Sequence, residues 1–280
     1  MRLTILGTGN AMAVECYNTC FVLSEGERHF LVDTGGGNRI LKVLKDAEID
    51  TEDIHDIFIT HEHIDHLLGI IWMIRVIGTK MNQGKYEGEL RIYCHSRLME
   101  TIQTIARLTI QKKVCRHLGE RIRFIPLEHG DSAEILGNKV TFFDIYSTKA
   151  EQYGFTMELP KSVHGKSEDA AGRKEKVKFT CAGDEPYNEK DYEFIKGSDW
   201  LMHEAFCLYE EAEEFKPYEK HHSTVREACQ VAEELKIPNL ILYHTEEKNL
   251  KRRKELYTKE GKMYYSGNLY VPYDLEVFEI

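Results

Sequence analysis

His61-Glu62-His63-Ile64-Asp65-His66 decides how this chain is read. The six residues follow the apolar run Ile57-Phe58-Ile59. In extended backbone, side chains two apart point the same way, so His61 and His63 can close on one metal ion. Asp65 and His66 fall where the chain must turn into the apolar, helix-like run from Leu67 to Ile77, and can face a second ion beside the first. Imidazole with carboxylate is the donor set of zinc and its neighbours. An incompletely filled set of ligands leaves room for an activated water.

The chain has 280 residues, which suits one large domain or two small ones with a sizeable core, and we read 1–280 as a single domain. Composition is that of a globular protein, 42% hydrophobic and 30% charged. No apolar run reaches the roughly 18 residues of a membrane span, so no membrane partner is expected. Met1 to Gly7 is too short and too soon broken by glycine to be a signal peptide, and reads as a first strand. Seven scattered cysteines without a Cys-x-x-Cys pair point to reduced thiols and a cytoplasmic location. The net charge of −10 lacks the basic surplus usual in nucleic-acid binders. Lys112-Lys113 with Arg116, the stretch 161–178 and Lys251-Arg252-Arg253-Lys254 are basic enough for local patches, but read as solvated faces.

Strand-like runs come early with few helices between them, and later alternate with helices. That pattern predicts an α/β protein of four layers, α/β/β/α, with two packed mixed sheets. Helices are expected over 38–47, 66–79, 97–118, 189–195, 207–215, 224–235 and 247–258. A last strand is expected over 270–278. The stretch 161–176, rich in Lys, Glu, Ser, Gly and Ala, reads as an exposed loop or hairpin tip.

A two-metal site needs more donors, and strand ends supply them. Asp184 follows Cys181-Ala182-Gly183, His244 ends Leu240-Ile241-Leu242-Tyr243, and His203-Glu204 follows Trp200-Leu201-Met202. His222 precedes Ser223-Thr224, which can cap a helix. Each alone is an ordinary turn or strand-end residue; together they form an ordered set.

With these residues the chain resembles the metallo-β-lactamase superfamily, and within it the ribonuclease Z-like branch. The resemblance rests on Leu6-Gly7-Thr8-Gly9 with Asn18-Thr19, Val32-Asp33-Thr34-Gly35, Thr60 to Gly69, Gly183-Asp184, His203-Glu204-Ala205, His222-Ser223-Thr224 and Leu242-Tyr243-His244. It implies the metallo-β-lactamase fold and the metal ligands His61, His63, Asp65, His66, Asp184 and His244. It implies one or two Zn²⁺ ions, with Mn²⁺ or Fe²⁺ accepted by the same donors. Asp65 would also act as general base, and His222, held by Glu204 and kept cationic, as general acid. Asp33 would stand behind the histidine cluster as a structural partner.

The chain departs from the branch at two places. Thr148 stands where the branch has a metal-binding histidine six residues before a glycine, here Gly154. His129 and His164 are the nearby substitutes, each read as non-ligating. The long arm of transfer-RNA processing members is also missing, since only 35 residues lie between Thr148 and Asp184; 161–178 reads as a shortened arm. The expected activity is metal-dependent hydrolysis of a small or nucleotide-like phosphodiester. A transfer-RNA 3′-end endoribonuclease acting on RNA is the alternative, and a metal-binding, non-catalytic homologue the alternative of another class. Branch members are often homodimers, which is the basis for expecting one here.

Overall fold

The computed structural model describes residues 1–160 and 176–280. The first half of the chain builds strands β1 (Arg2–Gly7), β2 (Cys20–Glu25), β3 (Arg28–Val32), β4 (Ile54–Phe58), β5 (Leu90–His95) and β6 (Ile122–Leu127). Between them lie helices α1 (Arg39–Asp46), α2 (Ile64–Leu67), α3 (Gly69–Asn82), α4 (Ser96–Thr109) and α5 (Lys112–Cys115). The second half builds β7 (Ser132–Ile135), β8 (Asn138–Asp144), β9 (Tyr153–Pro160), β10 (Lys176–Cys181), β11 (Trp200–Glu204), β12 (Asn239–Tyr243), β13 (Asn268–Tyr270) and β14 (Val277–Glu279). Its helices are α6 (Tyr192–Ile195), α7 (Ala212–Phe215), α8 (Val225–Glu234) and α9 (Arg253–Gly261).

Among the described residues the strands form two seven-stranded mixed sheets, ordered β14-β1-β2-β3-β4-β5-β6 and β13-β12-β11-β10-β9-β8-β7. Strand alternation sends one set of side chains into the space between the sheets. Phe21, Phe30, Phe58, Phe142, Phe155 and Phe179 fill it, with Phe155 touching all five of the others at ring separations of 5.7–6.5 Å. The opposite faces are covered by helices. Ile40, Ile70, Ile74 and Ile102 close one outer layer, and Val225, Ala228, Cys229 and Tyr257 the other. The α/β/β/α expectation holds, because both sheets are apolar on both faces and each must be covered twice.

Several element boundaries differ from the sequence reading. The helix expected from His66 begins at Ile64 and is interrupted at Leu68, where the Gly69 N–H turns to the Gly35 carbonyl at 2.9 Å. A Cβ on Gly69 would lie 1.9 Å from the Thr34 carbonyl oxygen, so only glycine lets the two segments approach this closely. The single helix expected over 97–118 is two, broken at the extended Ile110 and Gln111. The helix expected from Glu247 starts only at Arg253, because the Glu247 carboxylate instead accepts the Val14 and Glu15 N–H groups. The strand expected over 270–278 splits between the two sheets: β13 runs beside β12 and β14 beside β1. Strand β7 was not anticipated, being short and largely polar.

Arg253, read as part of a solvated basic face, is fully buried. In the apolar run 67–77, Trp72 is 36% exposed, while its neighbour Met73 is buried. Strands β9 and β10 pair antiparallel, with Pro160 opposite Lys176. Of the hairpin tip expected over 161–176 and the shortened arm expected over 161–178, residues 161–175, His164 among them, lie outside the described residues, and 176–178 belong to β10.

Candidate metal centre

All the ligand candidates sit at the ends of strands or in the turns just beyond them. After β4 the chain stays extended to His63 and then enters α2, which carries Asp65 and His66. Asp184 follows β10 across Gly183, whose φ of +80° favours glycine. His244 follows β12 and itself takes φ +57°, a left-handed conformation unusual for histidine and held by its surroundings.

The sheets bring these ends to one point. Asp184 Oδ2 lies 3.5 Å from His61 Nε2, 3.4 Å from His66 Nε2 and 3.6 Å from His244 Nε2. Asp65 Oδ2 is 3.4 Å from His66 Nε2. Two triads, His61/His66/Asp184 and Asp65/His66/His244, each have donor atoms within 4.8 Å of one another. His63 stands further out: its Nδ1 reaches His61 Nε2 at 2.7 Å, and it joins neither triad. As the residue preceding α2 it is only partly buried and swings wider than the strict two-residue alternation predicts.

Three of the histidines are held from behind. His66 Nδ1 donates to Asp33 Oδ2 at 2.7 Å, His61 Nδ1 meets Thr60 Oγ1 at 2.9 Å, and His244 Nδ1 meets Thr19 Oγ1 at 3.0 Å. The Thr60 hydroxyl donates to Asp33 and so accepts from His61. This places the proton of His61 and of His66 on Nδ1 and turns the Nε2 lone pairs toward Asp184. That is how proteins prepare imidazoles for a metal. His66 Nε2 is buried and has no hydrogen-bond partner. A bare lone pair among carboxylates is costly to bury, and a divalent cation is what this donor set fits.

The electrostatics agree. Burial pulls His61 well below the ordinary imidazole value despite Asp184, and burial brings His244 down to about 4, so both favour the neutral, ligating form. Burial opposes ionisation of Asp184 and Asp65, but the surrounding histidines outweigh it and hold both carboxyls below their usual range. His66 goes the other way: burial pulls it down, yet Asp65 and Asp33 raise it well above the usual value.

Thr148 does not join the cluster. Its hydroxyl pairs with Nδ1 of the exposed His221 at 2.9 Å. His129 is turned away, accepting the Asp144 N–H and packing edge-on against Phe194. The residue that reaches this side is Gln152, which the sequence reading missed. Buried between β8 and β9, its side-chain amide donates to Asp184 Oδ1 and leaves Oδ2 for the histidines. Arg253 is a second missed residue. Its guanidinium donates to the hydroxyls of Thr245 and Thr8 and to the Pro272 carbonyl, bracing the turn next to His244. No spacing in the sequence marked Gln152; for Arg253 the surrounding basic run concealed the signal.

His222 and Glu204 face each other, with Nδ1 to Oε2 at 3.7 Å. Both atoms are buried without another partner, and the other Glu204 oxygen accepts the Ser223 N–H. A cationic His222 was expected, but burial, then His244, lowers it to about 3, and burial raises the Glu204 carboxyl well above its usual range. Burial thus disfavours the charged form of both groups. His203 points away, its Nδ1 on the Glu204 carbonyl. The cluster forms the floor of a pocket of about 500 Å³ that also admits Met12, Ile64, Phe206, Lys149 and Lys220.

The family model described as "Anti-Pycsar protein Apyc1" matches residues 1–266. A ribonuclease Z of Thermococcus sibiricus is 28% identical over 312 residues, covering 100% of this chain and 96% of that protein. The metallo-β-lactamase fold protein YhfI of Bacillus subtilis superposes with a TM-score of 0.76 at 18% identity, covering 100% of this chain and 99% of that one. The short form of human tRNase Z gives 0.72 at 21% identity, covering 100% and 99%. The chain thus has the metallo-β-lactamase fold in its ribonuclease Z-like form, and belongs to the family of the anti-Pycsar protein Apyc1.

Proposed function

We propose that this chain is a metal-dependent phosphodiester hydrolase, acting as one domain over 1–280 on a small or nucleotide-like substrate. The observation that carries the reading is the convergence of His61, His66 and His244 Nε2 on Asp184 Oδ2, at the floor of a pocket that also holds the His222/Glu204 pair. His61, His63, Asp65, His66, Asp184 and His244 hold one or two divalent ions in this reading, zinc first and Mn²⁺ or Fe²⁺ as substitutes. Such an ion lowers the pKa of a water and draws charge from phosphoryl oxygens.

The residues do the rest. Asp65, ionised and within reach of the cluster, orients the attacking water and takes its proton. His222 gives its Nε2 proton to the leaving oxygen. Glu204, protonated in its buried site, replaces that proton at Nδ1, so the pair ends as a carboxylate beside a neutral imidazole, one negative charge left behind by the proton given to the leaving oxygen. The pocket suits a nucleotide-sized ligand. The chain works in the cytoplasm and pairs as a homodimer; no helix of the described residues is long and apolar enough to cross a membrane.

The test uses two phosphodiesters that differ in leaving group. His222→Ala should slow hydrolysis of an alkyl-leaving ester roughly 10²- to 10⁴-fold and a nitrophenolate-leaving ester far less. Equal losses on both would reject the general-acid role. An RNA-cleaving reading is favoured by the full-length match to ribonuclease Z, and one clean cut of a precursor transfer RNA at its 3′ end would establish it.

A further inference from the structure

We infer that Lys149 and Lys220 grip the anionic phosphoryl oxygens of the substrate and set its affinity, an assignment that rests on the hydrolase reading above. Among the described residues they are the only Lys or Arg side chains lining the pocket. They enter from different parts of the fold. Lys149 follows Thr148 in the turn after β8, and Lys220 ends the 3-10 turn Tyr218–Lys220 before His222.

Both are built into place. Glu185 lies 3.9 Å from the Lys149 ammonium and is itself fixed by the Ser147 hydroxyl at 2.7 Å. Lys149 is close enough for its charge to act on His222, His244 and Glu204. Lys220 sits 5.0 Å from the centroid of the Phe206 ring, and that ring stacks on His222 at 4.8 Å with the planes 5° apart. The left-handed turn at His221 (φ +53°) places Lys220 and His222 on either side of it. Among the described residues Lys220 has no carboxylate partner within 4.0 Å, although the chain carries a net −10. The pocket's own carboxylates are otherwise engaged: Asp65 and Asp184 with histidines, Glu62 with His95 and Arg97. A free ammonium beside the proton-donating imidazole, with a second across the pocket, is placed to hold a phosphoryl group while the cluster acts on it. In an acidic protein these two charges also supply the local pull on an anion.

The experiment titrates inorganic phosphate into the metal-loaded, full-length protein by calorimetry. The variants are Lys149→Gln, Lys220→Gln, the double variant and Lys220→Arg. Each single Gln variant should weaken phosphate binding roughly 5- to 10-fold and the double variant more. Lys220→Arg should recover most of the loss, and the salt dependence of binding should flatten in the double variant. A double variant that binds phosphate as the parent does, with unchanged salt dependence, overturns the inference; so does a parent that binds no phosphate. Turnover is measured separately on bis(4-nitrophenyl) phosphate. Lysine-dependent phosphate binding without turnover would refute the hydrolase reading and leave the grip standing. Where turnover occurs, the variants should raise KM with kcat little changed, and a fall in kcat alone would count against them as a binding device.

Discussion

Replacing Asp33 by Asn should disable the histidine cluster without touching a single proposed ligand. Asp33 is buried, with φ +55°, at the end of β3. Its Oδ1 accepts the Thr60 N–H at 2.8 Å, and its Oδ2 accepts the His66 Nδ1–H at 2.7 Å. Asparagine is nearly isosteric, and its carbonyl can keep the Thr60 contact. Its NH₂ must then face His66 Nδ1, donor against donor. His66 can escape only by moving its proton to Nε2, which removes the lone pair that points at Asp184. The lost charge-assisted hydrogen bond is worth roughly 1.5–3 kcal/mol. Loss of the partner behind a metal-binding imidazole typically costs 10- to 100-fold in affinity. Since His66 belongs to both triads, both ion positions should weaken together. The assay is metal content per chain by mass spectrometry on protein purified without chelator, followed by competition against a chromophoric chelator. Parental affinity at both positions in the Asp33→Asn protein, with the fold intact by circular dichroism, would refute the assignment of His66 as a prepared ligand.

Gln152→Ala removes the amide that holds Asp184 Oδ1 and should lower metal affinity by about tenfold; unchanged affinity would reduce Gln152 to packing. Asp191 is buried with one oxygen lacking a partner, and burial, then Asp144, raises its pKa to about 7. An acid whose pKa is raised on folding is more readily ionised when unfolded, so stability should fall as pH climbs from about 4 to about 7, by up to roughly 4 kcal/mol. Melting temperatures across that window should show the fall in the parent and its loss in Asp191→Asn, whereas parallel pH curves would contradict it. Phe155→Ala opens the aromatic cluster between the sheets and should cost about 3–5 kcal/mol in denaturant unfolding; a cost below 1 kcal/mol would mean that the sheets pack through other residues.

The chain itself announced much of this protein, because the chemistry is written locally. His61 to His66 are neighbours, and their spacing, together with the strand-to-helix turn at His63, is enough to predict clustered imidazoles. Asp184 and His244 could be found because each follows an apolar run, and His222 because it precedes the helix-capping Ser223-Thr224; the four layers followed from how strands and helices alternate. What stayed hidden depends on which strand lies beside which. Asp184 Oδ2 meets three imidazoles only because β10 and β12 sit with their ends level with that of β4 across two sheets. Gln152 reaches Asp184 through the pairing of β9 with β10, and Arg253 reaches Thr8 across 245 residues. The shift of His222 and Glu204 toward their neutral forms comes from burial, which no spacing encodes. Local geometry is a property of adjacent residues, whereas dielectric environment and long-range register exist only once the two sheets have closed on each other.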